Sequence, residues 1–239
     1  MSDKQNAQTE LKIAVLNYAG GVGKTTVVNN LLKPRMKDTP VIAIETINDG
    51  GGETQIKIKG KEYGMLQDEL LMNDQLIIDI GASNIEETMR MMSQYKGSHE
   101  DFNYFILPVV PDGKEQVDTI SAITALKKMG VPAKKIKVLF NKVDDIDTIE
   151  EDFYLIIEYL QTVKIPVPKI GIEKNEVYDE LRQRKQSISE LLGMTDLRDK
   201  LRQAKDRNEK KSIANLIGLQ RLATTANNNL DEVFKDLTL

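Results

Sequence analysis

Seven consecutive residues, Gly20-Gly21-Val22-Gly23-Lys24-Thr25-Thr26, constrain the fold of this chain more than any other stretch. They follow an apolar run, 11–16, and open a helix-compatible segment, 27–33. A strand, a glycine-rich turn and a helix in that order build a cradle for phosphate. The glycines let backbone N–H groups point inward, and the helix N-terminus adds positive potential. In such a cradle Lys24 reaches the outer phosphates and the Thr25 hydroxyl ligates Mg²⁺. Pro34 is predicted to end the helix near Lys33, because the residue before a proline is disfavoured in the α conformation.

The apolar pattern downstream fits this beginning. Runs at 41–44, 76–80, 102–110 and 136–140 read as strands buried on both faces. Residues 166–172 read as a further strand, and 55–59 as a short alternating one. Between them lie helical stripes: Leu66, Leu70 and Leu71; Val117, Ile120 and Ile123; Phe153, Ile156, Ile157 and Leu160. From Ser187 onward the chain is helical in character, and Gln220 interrupts the stripe of Ile213, Leu216, Ile217, Leu219 and Leu222. This alternation predicts an α/β, P-loop NTPase-like three-layer fold, with a mainly parallel central sheet and a helical C-terminus. The expected organisation is a polar tail, 1–10, then one domain, 11–239, with its C-terminal helices starting at about 187.

Composition removes several classes of chemistry. There is no cysteine, so disulfides, thiolate catalysis and cysteine zinc sites are excluded. No run approaches ~18 consecutive apolar residues, as a membrane span needs. Residues 1–10 carry Asp3 and Glu10 and do not resemble a secretory signal, so a cytoplasmic location is expected. Net charge is −4, yet 181–211 holds ten Lys/Arg against five acids. That asymmetry marks a candidate basic face for nonspecific DNA phosphate contacts; a solvated, charged helix surface explains it equally well.

Other polar residues fall at the ends of predicted strands. Asp79 closes the run 76–80 and precedes Gly81-Ala82-Ser83, a placement that aims a carboxylate into the ligand crevice and makes it a candidate metal ligand with Thr25. Glu45 ends the run 41–44, and Asp49 follows on a loop with Gly50 to Gly52. Asp49 is a candidate catalytic carboxylate beside Lys24; an ordinary Asp-Gly turn accounts for it as well. Asn141-Lys142-Val143-Asp144 follows the run 136–140. An Asn-Lys-x-Asp sequence reads guanine in GTPases through its aspartate, whereas Asp144 could equally cap the next helix.

The Gly-Gly-Val-Gly-Lys-Thr-Thr stretch, Asp79, the turn between Pro108 and Pro111, Asn141 and the loop Ile172-Glu173-Lys174-Asn175 together resemble the ParA/MinD ATPases. Within that group the chain is most similar to divergent ParA-like plasmid stability proteins of the StbB kind. The resemblance implies ATP and Mg²⁺ as cofactors. It assigns phosphate binding to Gly20, Gly21, Val22, Gly23, Lys24, Thr25 and Thr26, and adenine contact to Asn141. It further implies a nucleotide-dependent homodimer, a small DNA-binding adaptor as partner, and association with nucleoid or plasmid. GTP remains open beside ATP. Two positions depart from the family pattern. A signature lysine precedes the first glycine in the family, and here that residue is Ala19; a switch carboxylate is replaced by Ile47. Both departures imply slow or partner-stimulated hydrolysis, or a nucleotide-dependent scaffold without catalysis. A membrane-cycling role is disfavoured, because 231–236 carries three acids and one lysine.

Overall fold

The computed structural model describes residues 10–45, 56–58 and 62–239. Asp49, Ile47 and most of the tail lie outside the described residues. Among the described residues, seven strands form one sheet: β1 (Leu11–Val15), β2 (Val41–Ile44), β3 (Ile56–Ile58), β4 (Gln75–Ile80), β5 (Tyr104–Val109), β6 (Ile136–Val143) and β7 (Gly171–Glu173). Their order is β3-β2-β4-β1-β5-β6-β7, and every pair is parallel. The chain first builds outward from β1 through β2 and β3, returns in β4, then crosses β1 to continue with β5. β1 is therefore the switch point, the place beyond whose C-terminal end ligands bind in open α/β sheets.

Alternate residues of the central strands enter opposite cores. Ala14, Leu16, Leu76 and Ile78 join one apolar cluster; Ile13, Val15 and Ile77 join the other. The first cluster is closed by α2 (Tyr63–Met72), α3 (Ile85–Gln94), α4 (Gly113–Lys128), the short α5 (Ile149–Asp152) and α6 (Tyr154–Val163). The helical segment after the P-loop packs on the opposite face. It begins as Lys24–Thr26, continues as a π-helix over Val27–Leu32 and closes over Lys33–Arg35; together these are α1. With it pack α7 (Glu176–Arg184), α8 (Ile188–Leu192) and the long α10 (Arg207–Leu237), while α9 (Leu197–Gln203) lies against α10.

Several expectations are corrected. The helix after the P-loop runs past Pro34 to Arg35. The π turn shifts the register, with Lys33 N–H bonding Val28 O, and Arg35 reaches back over the proline. Its Nη1 donates to Asn30 O at 2.9 Å and Leu31 O at 3.2 Å, satisfying the carbonyl that Pro34 has no N–H to bond. The same guanidinium grips α10, with Nη2 2.6 Å from Asp231 Oδ1 and 3.1 Å from Asn227 O.

On α4, Val117 is 52% exposed, while Gln116 and Thr119 are buried with Ile123. Polar residues occupy that inner stripe because each is bonded: Gln116 Nε2 donates to Pro111 O and Asp152 O, both at 2.8 Å, and its Oε1 accepts from Ile156 N. β7 covers only two residues of the expected 166–172 strand, Gly171 and Ile172, since Pro166 and Pro168 have no N–H for a ladder. Asn141 to Val143 continue β6 beyond the expected 136–140, and the cap of the next helical turn is Asp145, not Asp144. Gln220 interrupts its stripe for a reason: its Nε2 donates to Leu191 O at 2.9 Å and Met194 O at 2.7 Å, closing the C-terminal end of α8.

Candidate nucleotide-binding site

The loop leaves β1 at Asn17, a fully buried polar residue that the sequence reading did not single out. Its Nδ2 donates to Pro108 O at 2.8 Å and to Thr119 Oγ1 at 2.6 Å, and its Oδ1 accepts from Ala19 N at 3.0 Å. One amide thus ties the loop entrance to the end of β5 and to α4. Nothing local signals this role, because the partners lie 91 and 102 residues away. Ala19 is buried with Val22 and Val110 in a small apolar cluster, so the first residue of the loop is anchored by contact rather than charge.

Gly21 and Gly23 have φ of +70° and +90°, conformations that favour glycine. Gly23 also needs its missing side chain, because a Cβ there would collide with Asn141 Nδ2. Lys24 begins α1, and its buried ammonium donates to Asn17 O at 3.0 Å and Ala19 O at 2.7 Å. Burial lowers its pKa to about 8, against an opposing pull from Asp79. Thr25 lies at the exposed rim, and its hydroxyl donates to Asp79 Oδ2 at 2.9 Å. Asp79 is in β4, which pairs directly with β1, and is 5% exposed. Burial raises its carboxyl to about 6, while the Thr25 hydrogen bond and Lys24 pull it down and Glu45 pushes it further up.

The structure therefore brings Lys24, Thr25 and Asp79 together at the mouth of β1 and β4, with Glu45 within electrostatic reach. Asn141 stands on the other side of the loop, its Nδ2 donating to Val22 O at 2.7 Å. Asp144 lies beyond β6 and pairs with Lys174 at 3.0 Å, both side chains being largely exposed. The basic stretch 181–211 is spread over the end of α7, α8, α9 and the start of α10. Four of its cations pair with acids on their own helices: Arg182 with Asp179, Arg184 with Glu180, Lys200 with Asp196, and Arg202 with Asp199.

The donor set fits Mg²⁺. A hydroxyl and a carboxylate are hard oxygen ligands, and Mg²⁺ takes one or two of these together with phosphate oxygens and water. Among the described residues there is no group of three His, Cys, Asp or Glu that could hold a metal without such help.

A phosphate-directed loop at the switch point of an all-parallel sheet, with a carboxylate on the adjacent strand, defines a P-loop NTPase-like α/β fold. No protein-family model and no curated protein matches the sequence. Among solved structures, the chain is similar to the MinD cell division protein of Aquifex aeolicus, at 13% identity and a TM-score of 0.53, over 90% of this chain and 97% of that one. It is also similar to a chain of the MinC:MinD complex from that organism, at 15% identity and a TM-score of 0.52, over 74% and 86% of the two chains. A McdA variant from Cyanothece, solved in complex with ATP, aligns at 16% identity and a TM-score of 0.51, over 88% and 97%. The chain thus shares the fold of these MinD and McdA structures.

Proposed function

We propose that this protein is a Mg²⁺-dependent, ATP-binding switch of the ParA kind, acting in plasmid stability, partition or DNA positioning, with slow or partner-stimulated hydrolysis. The carrying observation is the convergence of Lys24, Thr25 and Asp79 at the mouth of β1 and β4. The chemistry these residues can perform is electrostatic. The Lys24 ammonium neutralises the outer phosphates, inward backbone N–H groups of the loop bind their oxygens, and Thr25 with Asp79 would hold Mg²⁺, which supplies charge neutralisation of the phosphates. Binding in this reading favours a homodimer, as the resemblance implies, and the dimer recruits a small DNA-binding adaptor.

Slow hydrolysis follows from Ala19. Its methyl is packed against Val22 and Val110 and brings no charge to the phosphates. Missing one catalytic charge of this type lowers turnover by ~10²–10³. Basal hydrolysis by the purified chain is expected on the order of 0.01–0.1 s⁻¹. Ala19→Lys is expected to raise it by about 10-fold, since a lysine stem can replace the apolar contacts before its ammonium emerges. Binding of ATP, ADP and GTP, followed together with oligomeric state by light scattering, tests the switch itself. No change of state with any nucleotide would refute it.

A scaffold that binds nucleotide without cleaving it is the second reading, favoured by the same Ala19 packing; no turnover even with partner present would select it. Direct DNA contact through 181–211 is weakened by the four local ion pairs, yet Lys185, Arg198, Lys205, Arg207, Lys210 and Lys211 remain outside them. ATP-dependent binding to nonspecific duplex should weaken steeply between ~50 and ~200 mM salt if these residues neutralise phosphates. A flat salt response would assign DNA contact to the adaptor alone. No helix among the described residues is long and apolar enough to cross a membrane. Leu230, Val233 and Leu237, the apolar face near the end of α10, are buried against the sheet.

A further inference from the structure

Asn141, which the resemblance assigns to the base, is bound to the protein's own backbone. Asn141 is 5% exposed; its Nδ2 donates to Val22 O at 2.7 Å, and its Oδ1 accepts from Lys142 N at 2.9 Å. A bulge in β6 holds this geometry, with Lys142 at φ +57° and the register to β7 shifting between Asn141 and Val143. Asn175, in the neighbouring loop, caps α7 by accepting from Val177 N at 3.0 Å. Asp144, which would read guanine in an Asn-Lys-x-Asp site, pairs with Lys174 at the exposed surface.

The bond to Val22 O has a consequence inside the loop. In a trans peptide the C=O of one residue and the N–H of the next point in opposite directions. Drawing Val22 O toward Asn141 therefore turns the Gly23 N–H away from β6, into the cradle. With Gly23 at φ +90° and in contact with the same amide, this peptide is fixed from two sides. Asn17 fixes the entrance through Ala19 N. The loop hangs between two buried asparagines that are not part of it.

We propose that Asn141 is a positioning residue for the phosphate cradle rather than a reader of the base, so that the site recognises the triphosphate and discriminates weakly between adenine and guanine. This rests on the nucleotide-binding reading above. The test is calorimetric titration of wild type, Asn141→Ala and Gly23→Ala with MgATP, MgGTP and inorganic Mg-tripolyphosphate, the last having no base. Wild type is expected to bind ATP and GTP within about 10-fold of each other. Asn141→Ala is expected to lose about 10-fold or more on all three ligands by a common factor, as for one hydrogen bond that sets a binding geometry. Gly23→Ala, which forces the same peptide off the amide from the loop side, should reproduce that uniform loss. The ³¹P resonance of bound tripolyphosphate should shift in both variants, which a general loss of stability would not produce.

Loss of ATP affinity with unchanged tripolyphosphate affinity would overturn the proposal, as would a wild-type preference of about 100-fold or more for one base. If Asn141→Ala does not fold, the wild-type base ratio and Gly23→Ala decide. Failure of wild type to bind any of the three ligands would instead sink the nucleotide-binding reading, and this inference with it.

Discussion

Lys24→Ala is expected to weaken MgATP binding by about 100-fold or more, the effect of removing a charge-assisted contact from a water-poor site. In the ligand-free protein the ammonium rests on Asn17 O and Ala19 O, which hold it at the loop entrance without neutralising it. A phosphate oxygen is the partner that such a buried cation lacks. Lys24→Arg should fail almost as badly, because a planar fork cannot occupy the space of a compact ammonium between two carbonyls. Titration calorimetry at pH 7 measures both, with circular dichroism to verify folding; wild-type-like affinity in Lys24→Ala would remove Lys24 from the site. Stability carries an independent signature. The folded pKa is lowered to about 8 from an ordinary 10.5, so between those values the unfolded chain binds a proton that the folded chain has released. The Lys24 contribution to stability is therefore present above pH 10.5 and lost as pH falls through 8.

Asp79→Asn is expected to weaken Mg²⁺-nucleotide binding by about 10- to 100-fold while making the ligand-free protein more stable at pH 8. The carboxyl is raised to about 6 from 3.8, chiefly by burial, so its charge is unfavourable at neutral pH without a cation. The sign is opposite to that of Lys24. Below pH 3.8 the stability contribution of a protonated Asp79 is fully present, and it is lost as pH rises through 6. Asparagine keeps an oxygen for the Thr25 hydroxyl and removes the buried charge. A shift of this size corresponds to about 3 kcal/mol at most, or a rise of several degrees in Tm for a chain of this length. Mg²⁺-nucleotide affinity of wild type should fall below pH 6, and that step should vanish in the variant. A lower ligand-free Tm at pH 8 together with an unchanged pH profile would refute this account.

What could be read from the sequence was what depends on neighbours in sequence. β1, the glycine loop and the start of α1 are contiguous, and each obeys its own period. Asp79 was legible because a carboxylate ending a buried run has one place to go in a parallel sheet, and β4 does pair with β1. The two apolar layers were legible from the runs themselves. What escaped depends on distant partners. Asn17 looked like one polar residue at the end of an apolar strand, and its value lies in Pro108, Thr119 and Ala19. Gln116 and Thr119 broke the apolar stripe expected on α4, and Gln220 the one on α10, because hydrogen bonds made their burial affordable there. Pro34 misled for the same reason: its effect on α1 was absorbed by a π turn and by a guanidinium one residue on.

That guanidinium also joins the helix that leaves the glycine loop to the longest helix of the protein. Arg35 sits at the far end of the helix whose other end is the phosphate loop, and it is bolted to Asn227 and Asp231 on α10. From Asn227 to the start of α10 at Arg207 is about 30 Å of helix. The joint puts the glycine loop and the cations Arg207, Lys210 and Lys211 at the two ends of one continuous path of helix, and Gln220 with the buried Leu219, Ala223 and Ala226 pins the stretch between them.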